Sequence, residues 1–226
     1  MHIEPGVVDG AKIALSYATA AGGFAMAGKL AHNDIRNNGG IAPLMLRSLI
    51  TTALVFCFFE VFPHHPVGVS EVHLILGSTL LLLFGAGAAS IGLAAGLLIQ
   101  GLFLAPFDLP QYGMNVTTLL VPLWGISLLA KRIVPDATPY VDLKYSQALA
   151  LSTTYQGGIV AWVAFWAFYG NGFTAEAMME VASFGAAYMT VIIVEPLADL
   201  AVLAVAKTLR RQSRGPLFNA RLHQPA

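Results

Sequence analysis

The sequence predicts an all-α, polytopic membrane protein of about seven transmembrane helices, and three observations carry that prediction. The chain is 57% hydrophobic and only 11% charged, with mean hydropathy +0.70, whereas soluble domains carry about 25% charged residues. Apolar runs of bilayer-crossing length recur from end to end, so residues 1–226 read as a single transmembrane domain. Eleven of the 12 Lys and Arg residues also gather on one side of the implied topology. A net charge of zero gives no case for a nucleic-acid partner.

The first span is expected from about Gly10 to Ala31, and the second from about Pro43 to Phe62. The stretch from Val72 to Pro106 is too long for one helix, because about 20 residues already cross the hydrocarbon core. It divides at Gly85-Ala86-Gly87 into a third and a fourth span. The fifth runs from about Asn115 to Ala130, the sixth from Ser146 to Tyr169, and the seventh from Ala177 to Ala206. Pro122 and Pro196 are expected to kink the fifth and seventh. Gly92 and Gly96, four apart, predict close helix packing. The single cysteine, Cys57, lies among Val55, Phe56, Phe58 and Phe59 and is expected to be a small buried hydrophobe.

With these spans, Lys29, Arg36 and Arg47 flank one loop, and Lys131, Arg132 and Lys144 lie in or beside another. Lys207, Arg210, Arg211, Arg214 and Arg221 fall in the tail, which leaves Lys12 alone on the opposite side. That bias predicts the N-terminus outside and the C-terminus inside, in a multi-pass protein of the inner (plasma) membrane. No basic leader or clear small-residue cleavage site marks the first span as a signal, so the start is expected to be mature. His2, His64, His65 and His73 then fall on the outer side, beside the loop from Phe107 to Gly113, while His32 and His223 fall inside.

A histidine at position 2 offers a metal ion three nitrogens at once. These are the α-amine of Met1, the deprotonated backbone amide of His2 and one imidazole nitrogen of His2. The fused chelate rings draw the donors towards one plane, which suits Ni(II) and Cu(II), and tolerates low-spin Co(II), better than it suits tetrahedral zinc. A fourth nitrogen has to come from elsewhere in the fold. The ordinary alternative is a terminus that frays.

Met1-His2-Ile3 followed by Gly6, then Gly68-Val69-Ser70-Glu71-Val72-His73, then Gly113-Met114-Asn115, are three landmarks in the first half of the chain. Together they resemble those of the CbiM/NikM family, the substrate-capture subunits of energy-coupling-factor cobalt and nickel transporters. The chain departs from that family where Leu74-Ile75-Leu76-Gly77 replaces a threonine-glycine pair, and in the loop before Asn115. The resemblance implies a metal set of Met1, His2 and His73, with Ser70 and Asn115 as candidates for the surrounding contacts. It implies transported Co(II) or Ni(II) and no permanently bound cofactor. A transmembrane coupling subunit and ATPase subunits are the implied partners, in addition to the lipid bilayer. The chain itself is expected to catalyse nothing. The glycines between Gly85 and Gly101 form no phosphate loop, since no Lys-Ser/Thr pair follows them.

Each candidate also has an ordinary reading. His73 could cap a helix at the membrane boundary, and His64 and His65 could be solvated loop residues rather than collectors of metal at the mouth. Asn115 could orient a ligand imidazole or cap its helix. Asp108 reads as a solvated turn residue. Glu195 and Asp199 share one face of the seventh span, at a depth where acids are costly. They suggest a proton or ion path, or a polar contact to a partner or to backbone freed by Pro196, away from the proposed metal. Ala14, Ala18 and Gly22, with Ala21 and Ala25, make a small-residue stripe on the first helix suited to close packing, either inside the bundle or on a partner. Two other functions remain open at this point. One is an intramembrane haem or redox protein, which would need histidines facing each other near mid-membrane. The other is a vitamin-specific capture subunit, which would leave Met1-His2 without a role.

Overall fold

The computed structural model describes residues 3–135 and 138–208. Among them are seven helices and one short hairpin: α1 (Ala14–Asn37), α2 (Ile41–Glu60), β1 (His65–Val67), β2 (Ser70–Val72), α3 (Gly77–Phe84), α4 (Ala86–Phe103), α5 (Tyr112–Ile133), α6 (Tyr145–Asn171) and α7 (Ala175–Thr208). One hydrophobic core joins buried residues from Ile3 to Leu203. The chain is an all-α polytopic membrane protein, and α2, α4, α5, α6 and α7 are each long and apolar enough to cross a bilayer. At 24 residues α1 has the length to cross, but it carries Lys29, His32, Asp34 and Arg36 towards its end.

Glycines set a close contact between α2 and α4. A Cβ on Gly92 would stand 2.8 Å from the Thr51 carbonyl carbon, and one on Gly96 would stand 2.6 Å from Val55 Cγ1. Because Thr51 pairs with Gly92 and Val55 with Gly96, α2 and α4 run parallel with backbones in near contact, as small residues allow where lipid supplies no hydrophobic drive. The Thr51 hydroxyl uses that proximity to donate to the Ala88 carbonyl at 2.8 Å.

The expected boundaries hold to within a few residues except at the end of α1, which runs on from Ala31 to Asn37, and in the third span. There Val72 lies in a strand, residues 73–76 are irregular, and α3 has only eight residues, about 12 Å of rise against a core of about 30 Å. Contacts nonetheless place the start of α1 beside the start of α5 (Ser16 and Gly113) and the end of α6 beside Val7. Gly87, at the start of α4, packs on Ala31 and Asp34 at the other end of α1. The third passage from one end of the bundle to the other is therefore made by the hairpin, an unwound segment and a half-length helix in series. Helices α5 and α7 continue through Pro122 and Pro196.

Two sequence expectations change, at Cys57 and Asp108. Arg47 flanks the α1–α2 turn, but it is buried and paired with Asp34 at 2.9 Å, where Asn38 also donates at 2.6 Å. A buried guanidinium needs such a partner, and Asp34 lies across the α1–α2 turn. Cys57 is exposed, because the buried side of α2 carries Thr51, Val55 and Phe59 and Cys57 falls on the opposite side. Asp108 is buried rather than solvated, held within the 3-10 turn from Pro106 to Gln111.

Candidate metal centre

The hairpin β1–β2 pairs His65 with Val72, Pro66 with Glu71 and Val67 with Ser70. Gly68 and Val69 form its turn. Gly68 has φ 60°, and a Cβ there would press on the backbone of Glu180, 3.1 Å from its carbonyl carbon. Glycine is thus required twice, for the left-handed backbone and for contact with α7.

The chain's N-terminal segment adds to this hairpin. Ile3 bridges Ser70 in antiparallel fashion, and the Glu4 amide donates to the Val69 carbonyl at 3.1 Å. The Ile3 amide donates to Asn115 Oδ1 at 2.8 Å, and both Ile3 and Asn115 are buried. Asn115 is not the N-cap of α5, which is Gln111. Its side-chain oxygen fixes the bridge residue Ile3, 112 residues away in sequence. Ser70 is buried in the same pairing.

Three residues beyond Ser70, the His73 side chain is buried and its Nε2 lies 2.9 Å from Glu71 Oε2. His73 follows β2 directly, two residues after Glu71 of that strand. With the carboxylate ionised, Nε2 donates the proton and a neutral imidazole carries its lone pair on Nδ1. The His73 ring stacks on His64 (5.0 Å between centroids, 19° between planes) and meets Phe59 at 5.3 Å. His64 is half-buried and donates Nδ1–H to the Phe62 carbonyl at 3.2 Å, so it is more than a solvated loop residue. His65 is exposed and lines a mainly apolar cleft of about 350 Å³ between the hairpin and α7, with His73 in its wall.

The structure therefore brings Ile3, Ser70, Asn115 and His73 to one end of the bundle. Met1 and His2 lie outside the described residues. Among the described residues no three His, Cys, Asp or Glu side chains form a group able to hold a metal ion. Glu71 and Glu195 were not expected here. Glu71 stands in the hairpin motif itself, where its two-residue spacing from His73 could have revealed it. Glu195 is not remote from His73: it accepts the amides of Ile75 (3.1 Å) and Leu76 (2.6 Å). Asp199 accepts the Ser78 hydroxyl at 3.3 Å. Both acids thus contact α3 and the segment before it, within the chain's own bundle.

Comparison with known families finds a match to CbiM, described as cobalt uptake substrate-specific transmembrane region, over residues 2–213. The chain belongs to the CbiM family. No curated protein and no solved structure matches it. The CbiM match takes in every described element, from the bridge at Ile3 through α7. This CbiM chain is accordingly a substrate-specific membrane component of cobalt uptake, a transport protein by family.

Proposed function

We propose that this CbiM chain captures Co(II), or Ni(II), at its outer face through the Met1 amine, the amide and imidazole nitrogens of His2, and the His73 imidazole. One observation carries the reading: Ile3, the residue next to His2, is buried and bridged to Ser70, three residues before His73. Asn115 supports it by fixing the Ile3 amide. Every donor is a nitrogen that must lose or lack a proton, so affinity rises with pH. Cobalt is preferred to nickel because the family is described by cobalt uptake. Metal analysis and Co(II) titration of the purified untagged chain are expected to give one ion per chain. A chain that binds no Co(II) or Ni(II) above background contradicts the reading. The stacked His64 and His73 rings do not favour haem, whose axial ligands stand on opposite faces of the macrocycle.

In the orientation with the N-terminus outside, the hairpin end meets the exterior and the cations around Lys29, Lys131 and Lys144 lie inside. No phosphate loop occurs in the chain, so ATP hydrolysis falls to partner subunits reached through a transmembrane coupling subunit. The small-residue stripe of α1 is the proposed docking face. Ala14, Ala18, Ala21, Gly22 and Ala25 are all exposed, and nothing lies within 4 Å of a Cβ built on Gly22. The side of α1 carrying Ser16, Ala20 and Gly23 faces the bundle instead. Ala18→Leu or Gly22→Leu is expected to abolish co-purification with the coupling subunit and metal uptake, while the isolated chain still folds and binds Co(II). Loss of folding or of Co(II) binding in the isolated variant would assign the stripe to the chain's own packing.

A further inference from the structure

Between β2 and α3 the chain is irregular, with His73 and Ile75 buried and Leu74 and Leu76 half-buried, and the backbone partners of Ile75 and Leu76 come from far away. The Ile75 and Leu76 amides both donate to Glu195 Oε1, at 3.1 and 2.6 Å. Glu195 Oε2 accepts the Ser152 hydroxyl of α6 at 3.3 Å, and the whole side chain is buried. Within a membrane such amides have no water to turn to, so an irregular segment persists only where the protein satisfies it. Leu76 adopts φ 53° and ψ 33° and is the only described non-glycine residue with positive φ. Leucine holds that left-handed conformation only where its surroundings over-determine it. The next residue, Gly77, lies so close to the Tyr155 ring that a Cβ would collide with it. Helices α6 and α7 thus close on Ile75–Gly77 from two sides, beginning two residues after His73.

We propose that Glu195 is the positioning residue for His73: its carboxylate fixes the turn at Ile75 and Leu76, and the turn fixes where the imidazole stands for the metal. The proposal rests on His73 being a ligand. It gives a specific role to an acid that would otherwise be costly at membrane depth, since two amide N–H groups and one hydroxyl converge on it.

The test is Co(II) titration, together with the ligand-field absorption spectrum of bound Co(II), on the purified full-length chain. Glu195→Ala is expected to weaken Co(II) binding roughly 10–100-fold, the range typical of residues that orient a metal ligand, and to shift the absorption bands. Glu195→Gln keeps an oxygen for the two amides and should restore both affinity and bands. Leu76→Gly in the Glu195→Ala background should recover part of the affinity, because glycine takes the left-handed conformation without strain. A folded Glu195→Ala chain with unchanged affinity and spectrum overturns the proposal. So does a Glu195→Gln chain as damaged as the alanine variant. Should Glu195→Ala fail to fold, Glu195→Asp decides. One methylene shorter, it withdraws the carboxylate from the turn and is expected to shift the bands where glutamine does not, and a wild-type spectrum in both overturns the proposal. A His73→Ala chain that binds Co(II) as the wild type does would instead overturn the ligand reading, and the proposal with it.

Discussion

Replacing His73 with alanine is expected to lower Co(II) affinity by at least about 100-fold, beyond the 10–100-fold typical of contacts outside the ligand set. The imidazole is buried just past the end of β2, with Nε2 on Glu71 and its ring in contact with Phe59 and His64. Two aromatic neighbours and a carboxylate on one nitrogen hold it in one orientation, which favours a ligand over a solvated boundary residue. His64→Ala removes only a stacking partner, and His65→Ala only an exposed ring. Both are expected to stay within about tenfold of the wild type. Isothermal titration of the three variants with Co(II) separates these expectations. Equal losses in all three would move the fourth nitrogen from His73 to the mouth of the hairpin.

Hydropathy made most of the bundle readable. Helix α2 was expected from Pro43 to Phe62 and runs from Ile41 to Glu60; α6 was expected from Ser146 to Tyr169 and runs from Tyr145 to Asn171. A full-length apolar span has to be helical, because nothing else satisfies its backbone in lipid. The same logic failed from Val72 onward. Val72, Leu74, Ile75 and Leu76 are as apolar as any helix, but their backbone is satisfied by strand pairing and by Glu195, a partner 120 residues from Ile75. A hydropathy profile counts side chains and cannot see a distant carboxylate. The same blindness applies to Asn115. Its position near the start of α5 is legible, whereas its bond to Ile3 depends on the fold closing over 112 residues. The exposure of the α1 stripe was equally hidden, since small residues suit internal and external packing alike.

The proposed site depends most directly on the chain terminus, and the measurement is Co(II) affinity of two proteins that differ by one acetyl group there. Both begin at Met1, verified by intact-mass spectrometry; one has a free α-amine and the other is acetylated on it. Acetylation converts the Met1 amine into an amide nitrogen and leaves no terminal amine to enter the chelate. Ile3 is fixed by Ser70 and Asn115, and His2 is joined directly to it. The acetylated protein is expected to fold, keep its α-helical content and lose Co(II) affinity by at least about 100-fold, more than a change outside the ligand set would cause. An acetylated protein that binds Co(II) as tightly as the one with the free amine would contradict the proposed site.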